Sequence, residues 1–181
     1  QWEINAESKV NIKGLEWSIE ELLEGSPYKD CFDGGIFIHQ FLNTTDYHRE
    51  HAPVGGKVLE ARLVQGVVYL GVAAEPIEND PKGRTHIVRR KLEALDEAGY
   101  QFLQMRGLVV IQSKIGKVAV LPMGMAQVSS IIVTAEEGKF LRKGEEISYF
   151  QFGGSDIVVL FERDSNVSIT AQPGVHYKVG T

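Results

Sequence analysis

The chain has 181 residues, 43% apolar and 24% charged, the size and make-up of one globular domain with a sizeable core. Its net charge of -5 excludes a basic nucleic-acid surface, and no apolar run has the length of a membrane span. Cys31 is the only cysteine, which rules out an internal disulfide and a Cys-based zinc cluster and leads us to expect a reducing, cytoplasmic location.

The chain opens on Gln1 rather than Met, so a piece of a longer product is expected, with no signal peptide at its start. Residues 1–13 read as an extended segment. Leu15, Ile19, Leu22 and Leu23 fall at helical spacing, Ser18 and Glu21 suit a capping box, and Gly25-Ser26-Pro27 ends the helix. Gly34-Gly35 leads into Ile36–Leu42, an apolar run of strand length. Val58–Leu63 and Val67–Val72 read as a strand pair around Gln65-Gly66, and residues 75–85 as an exposed loop. Residues 87–98 have helical composition. Leu108–Ile111 and Val118–Leu121 predict a hairpin around Lys114–Lys117. Val128–Thr134, Glu146–Phe152, Ile157–Phe161 and Val167–Thr170 predict further strands, with turns at Gly138 and Gly144. The sum is a single α+β domain over 1–181, built of β-rich antiparallel sheets with about two helices.

Two segments carry residues suited to chemistry. In Asp46-Tyr47-His48-Arg49-Glu50-His51-Ala52-Pro53, two imidazoles three residues apart share one side if the segment is a helical turn, and histidine moves protons near neutral pH. Read alone, the pair serves equally as two structural histidines. A metal site with His39 as third ligand lacks the H-x-x-E-H zinc pattern, and no metal is expected. In Phe152-Gly153-Gly154-Ser155-Asp156, a glycine pair frees the backbone for unusual dihedrals and sets a hydroxyl beside an unshielded carbonyl. Read alone, the same residues describe a bend between strands.

Taken together and in order, these segments resemble the phosphatidylserine decarboxylase family, from about Lys13 to Phe161. The resemblance includes Trp17–Leu23, Gly35-Ile36-Phe37 through Leu42, Asp46–Pro53 with Val54-Gly55-Gly56, Met123–Ser130, Arg142–Glu146 and Tyr149–Ser155. Each match is short; the ordered set covers most of the chain. Phe-Gly-Gly-Ser and Gly-Met-Ala-x-Val-Ser resemble the soluble amino-acid branch, which includes fungal tryptophan decarboxylase-like enzymes. The lipid enzymes typically carry Leu-Gly-Ser-Thr and an Asn-Glu-Arg motif, of which Phe102–Arg106 retains only the Arg.

The resemblance implies self-cleavage between Gly154 and Ser155 into a β chain, 1–154, and an α chain, 155–181. The Ser155 hydroxyl attacks the Gly154 carbonyl, an ester replaces the amide, and elimination followed by hydrolysis leaves a pyruvoyl group and ammonia. His51 is the implied base for this step. The family's orienting Asp lies before the segment that aligns with Gln1; Asp46 and Asp33 match other positions. This chain without that Asp is therefore expected to cut slowly or not at all. The pyruvoyl cofactor then forms a Schiff base with the amine of a small-molecule substrate and draws electrons as CO2 leaves. His48 is implied to return the proton.

Other readings are an enzyme acting on lipid phosphatidylserine, a non-catalytic relative, and a biotinyl- or lipoyl-like half-barrel. Residues 131–154, with the Gly138–Glu145 turn, resemble that half-barrel, but Met-Lys-Met and Asp-Lys-Ala are absent. A non-catalytic relative is suggested by Asp156, which stands where the family often has Thr, Ser or Asn. The partner class is a small amine or amino acid, without nucleic acid, with no membrane expected, and with homo-oligomer formation left open.

Overall fold

The computed structural model describes residues 2–3, 10–12, 15–17, 19–43, 45–66, 71–76, 88–93, 105–124, 130–151 and 155–180. Its strands are β1 (Trp2–Glu3), β2 (Val10–Ile12), β3 (Leu15–Trp17), β4 (Ile36–Leu42), β5 (Arg49–His51), β6 (Gly56–Val64) and β7 (Gly71–Pro76). There follow β8 (Val88–Glu93), β9 (Arg106–Ser113), β10 (Gly116–Gly124), β11 (Ile131–Val133), β12 (Phe140–Leu141), β13 (Glu146–Phe150) and β14 (Ser155–Phe161). One short α-helix, α1 (Ile19–Leu22), and two 3-10 turns, Lys29–Phe32 and Arg163–Ser165, complete the described elements. The β-rich antiparallel α+β class read from the sequence is the class observed.

The main sheet has seven strands in the order β1-β4-β14-β10-β9-β6-β12, every pair antiparallel. Its centre is buried on both faces. Along β9, Leu108 and Val110 enter one core cluster with Phe37, Leu121, Met123, Val158 and Leu160. Val109 and Ile111 enter the other with Val58, Val118, Ile147, Val159 and Phe161. The alternation is the period-2 geometry of a strand, and burial on both faces explains the unbroken apolar runs. A three-stranded sheet, β11-β13-β5, and two pairs, β2-β3 and β7-β8, complete the topology.

Several sequence expectations are corrected. The helix read over Leu15–Leu23 is a single turn, Ile19–Leu22, because Leu15–Trp17 pairs with Val10–Ile12 as a strand. One helical turn costs more than it gains by itself; this one is held by Arg106. The buried guanidinium donates to the carbonyls of Leu22 (2.8 Å) and Glu21 (2.9 Å) and pairs with Glu24 (3.3 Å), covering the orphan carbonyls of the helix end. The proposed capping Ser18 lies outside the described residues.

Of the hairpin expected around Gln65-Gly66, the described strand residues have other partners. β6 pairs with β9, 42 or more residues away in sequence, and β7 pairs with β8. Residues 67–70 lie outside the described set. Helical composition over 87–98 also misleads: Val88–Glu93 is a strand, where tertiary pairing overrides propensity, and residues 87 and 94–98 lie outside the description. Of the loop expected over 75–85, Glu75 and Pro76 belong to β7, and the rest lies outside. Val167–Thr170 makes no strand; Val167 and Ile169 rest on the second core as irregular chain after Asn166 turns left-handed (φ 49°). The β9–β10 hairpin, with Lys114-Ile115 at its turn, and Ile36–Leu42 are observed as expected.

Candidate active site

Ser155 is the first residue of β14 and has ladder partners on both sides, Leu42 of β4 and Gly124 of β10. The sequence reading began this strand at Ile157; tertiary pairing extends it back to the serine. A break before Ser155 would leave residue 155 held by two flanking strands. That is the anchorage a cofactor formed from residue 155 requires, so this chain fits a pyruvoyl group there. Gly153 and Gly154 lie outside the described residues.

His48 stands at the same end of the molecule, tied to Ser155 by two short paths. On one, Leu42 lies opposite Ser155, and the chain then turns tightly. The Asn43 amide donates to the Asp46 carboxylate (2.8 Å), the Asp46 amide donates to the Asn43 carbonyl (2.9 Å), and His48 follows. On the other, the Phe150 amide donates to the His48 carbonyl (3.0 Å), and five residues later the chain reaches Ser155. Five extended residues span at most about 18 Å. The His48 ring meets Phe150 edge-on, with centroids 6.1 Å apart. Its Nδ1 donates to the Asp46 carbonyl (2.6 Å), so in the neutral ring the basic nitrogen is Nε2. His48 lines a shallow depression of about 460 Å³ with Asp46, Tyr47, Arg49, Tyr149 and Phe150.

The segment is a strand and not the helical turn on which a shared side for the two histidines depended. His51 pairs with Glu146, at the start of β13, while His48 adjoins Phe150, at its end. Four residues of antiparallel strand are about 13 Å, so the two histidines stand toward opposite ends of β13. Its Nδ1 donates to the Gly144 carbonyl (2.8 Å), and Nε2 accepts from the Tyr47 hydroxyl (2.9 Å). The Tyr47 ring stacks on it at 5.6 Å, inclined by 13°. Gly144 is left-handed (φ 87°), which lets the turn present that carbonyl. A backbone carbonyl and a phenol therefore orient His51, and no described carboxylate bonds it.

Of two further features, Glu50 was not singled out from the sequence, and Asp156 was noted there only as a departure from the resemblance. Glu50, between the histidines, is buried, accepts from the Ser148 hydroxyl (2.7 Å) and leaves Oε1 without a partner. Burial pushes its carboxyl up to about 7, against the opposing pull of the Ser148 hydrogen bond. Asp156, next to Ser155, is 1% exposed. Its Oδ2 is 3.3 Å from His39 Nε2, at ion-pair distance but not aligned as a hydrogen bond, and its Oδ1 has no partner. The available signal was strand alternation. Asp156, Val158 and Leu160 share the core face once the strand is begun at Ser155. His39 thus meets Asp156 rather than the other two histidines. Arg106, the Arg retained in the sequence resemblance, holds α1. Asp46 holds the turn before His48 and accepts from His176 Nε2 (3.2 Å).

The half-barrel reading fails on topology. β12 and β13 flank the Lys143-Gly144 turn but join different sheets, β12 pairing with β6 and β13 with β5 and β11.

The family model described as phosphatidylserine decarboxylase matches residues 1–181. The chain is 33% identical over 152 residues to phosphatidylserine decarboxylase proenzyme 3 of Schizosaccharomyces pombe, covering 83% of this chain and 14% of that protein. It is 34% identical over 157 residues to decarboxylase iboD of Amanita muscaria, covering 83% and 44%. It is 27% identical over 174 residues to L-tryptophan decarboxylase of Psilocybe cyanescens, covering 93% and 39%. The chain thus spans less than half the length of each of these relatives.

Proposed function

Because the chain belongs to the phosphatidylserine decarboxylase family, we propose that it is the catalytic part of a self-cleaving, pyruvoyl-dependent decarboxylase of an amino acid or amino-acid-derived amine. The observation that carries this reading is the position of Ser155 at the head of β14, between two strands that would keep the new chain end in place. The pyruvoyl group supplies a ketone for the substrate's amine and a sink for the electrons released with CO2.

The chain's own residues do the rest. The Ser155 hydroxyl is the nucleophile on the Gly154 carbonyl. His51 is the base for that step, its Nδ1 proton committed to Gly144, with Tyr47 covering the nitrogen that must accept. His48 returns a proton to the substrate's α-carbon from Nε2, with the ring fixed by Asp46 and Phe150. Tyr47, Tyr149 and Phe150 give the depression an aromatic lining. An amino-acid substrate is supported by the L-tryptophan decarboxylases among the relatives and by the departure of residues 102–105 from the lipid enzymes' pattern. Phosphatidylserine itself is the second reading, favoured by the higher identity to the yeast proenzyme. A cytoplasmic enzyme is part of the proposal.

Intact mass of the denatured full-length protein tests the core of it. Wild type yields two chains, the smaller beginning with a pyruvoyl at position 155. Ser155→Ala stays in one piece and releases no CO2 from tryptophan or from phosphatidylserine vesicles. His51→Ala slows cutting, while His48→Ala cuts normally and turns over about 10² to 10⁴ more slowly. A Ser155→Ala chain that still splits at this bond sinks the assignment. Full turnover in His48→Ala, or normal maturation in His51→Ala, reverses the division of roles. CO2 release from the vesicles alone selects the lipid reading.

A further inference from the structure

We infer that Asp156 is the anchor for the substrate's ammonium group. The inference rests on the decarboxylase reading and deepens it. Any primary amine that reacts at residue 155 must bring its nitrogen to that residue. Adjacent Cα atoms are about 3.8 Å apart, so the Asp156 side chain is necessarily a near neighbour of the approaching amine. The carboxylate is 1% exposed, one oxygen faces His39 Nε2 at 3.3 Å, and Oδ1 has no donor. A buried acceptor without a donor is costly, and here the missing donor is the group the reaction brings.

Around it, the core face of the sheet gives Asp156 mostly apolar company. Met123 of β10 and Phe41 of β4 are its register partners; Met123 is buried and Phe41 is 59% exposed. His39 is the only described charged or titratable partner the carboxylate has. An N–H of an ammonium supplies Oδ1 with a charge-assisted hydrogen bond, while Oδ2 faces His39 Nε2. In the uncut chain Oδ1 is closed to solvent. Breaking the bond before Ser155 sets the new chain end one residue from this carboxylate while the ladder partners Leu42 and Gly124 keep it there. The same negative charge disfavours a phosphodiester next to the amine.

Two small amines separate this role from a structural one. Ethylamine is an ammonium at neutral pH, and methoxyamine is uncharged. Each is incubated at a sub-saturating concentration with the cut full-length protein. The mass gain on the chain beginning at residue 155 is followed in time, after borohydride reduction for ethylamine. Asp156→Asn should slow ethylamine capture about 10- to 100-fold, the worth of one hydrogen bond to a charged group, and leave methoxyamine capture unchanged. Asp156→Thr, a residue type usual at this position in the family, should behave the same way and serves if the Asn variant matures poorly. Equal rates for ethylamine in wild type and variant overturn the anchor, as does an equal loss for both amines. A wild-type small chain that lacks the pyruvoyl mass refutes the decarboxylase reading instead, and the mass spectrum distinguishes the two failures.

Discussion

Glu50 sits between the two histidines, yet its own side chain faces the interior of the small sheet. Its carboxyl is raised from an ordinary 4.5 to about 7 by burial, so the folded chain holds a proton there that the unfolded chain has released. Between about pH 4.5 and 7 the folded state binds more protons than the unfolded, and stability falls as pH climbs through that window. Below it both states are protonated and no difference arises. Glu50→Gln keeps an acceptor for the Ser148 hydroxyl and removes the charge. The variant should be as stable as wild type near pH 4 and more stable by about 2–3 kcal/mol at pH 8. Denaturant midpoints at the two pH values check this, and a constant difference across pH would show that the carboxyl does not titrate in the window. At this scale His48, His51 and Ser155 were legible as side chains able to do chemistry. Their partners were not, because the carbonyl of Gly144 and the ring of Phe150 come from a turn and a strand about a hundred residues away.

Among the elements, β14 organises the site, and its placement depends on Gly35. Ile36 pairs with Phe161 at the far end of the β4–β14 ladder, and a Cβ on Gly35 would stand 1.9 Å from the Phe161 carbonyl oxygen. Neither backbone can yield without shifting the ladder whose other end carries Leu42 and Ser155. Gly35→Ala should therefore cost on the order of 3 kcal/mol, read as a lowered denaturant midpoint, and a midpoint equal to wild type would show that the strands can part there. The sequence marked this glycine as the lead-in to a strand, which is correct. The reason for it is the close approach of a segment 126 residues later, which local pattern does not encode. The same limit explains the short helix. Its apolar spacing was real, but Arg106 holds it from across the fold, and the preceding residues had a strand partner.

For the whole molecule, a cut before Ser155 would divide the chain without dividing the fold. The 27-residue piece from 155 to 181 keeps β14 paired along seven positions with β4 and seven with β10. It buries Val158, Val159, Leu160 and Phe161 in the two core clusters, at about 1.5–3 kcal/mol for each side chain. The two pieces should co-elute in native gel filtration and separate only in denaturant; separation under native conditions would show that the β14 ladders do not hold them.

The β-rich antiparallel class, the strands at Ile36–Leu42 and around Lys114–Lys117, and the residues able to carry the chemistry were all present in local pattern and in the order of short motifs. Period-2 alternation, turn glycines and reactive side chains are local properties, and one chain displays them without folding. Long-range pairing set the rest: β6 against β9, Val88–Glu93 as strand, the start of β14 at Ser155, the separation of His51 from His48, and the burial of Asp156 beside His39. A ladder partner is chosen by burial and register over the whole sheet, and that choice combines residues no window of sequence brings together.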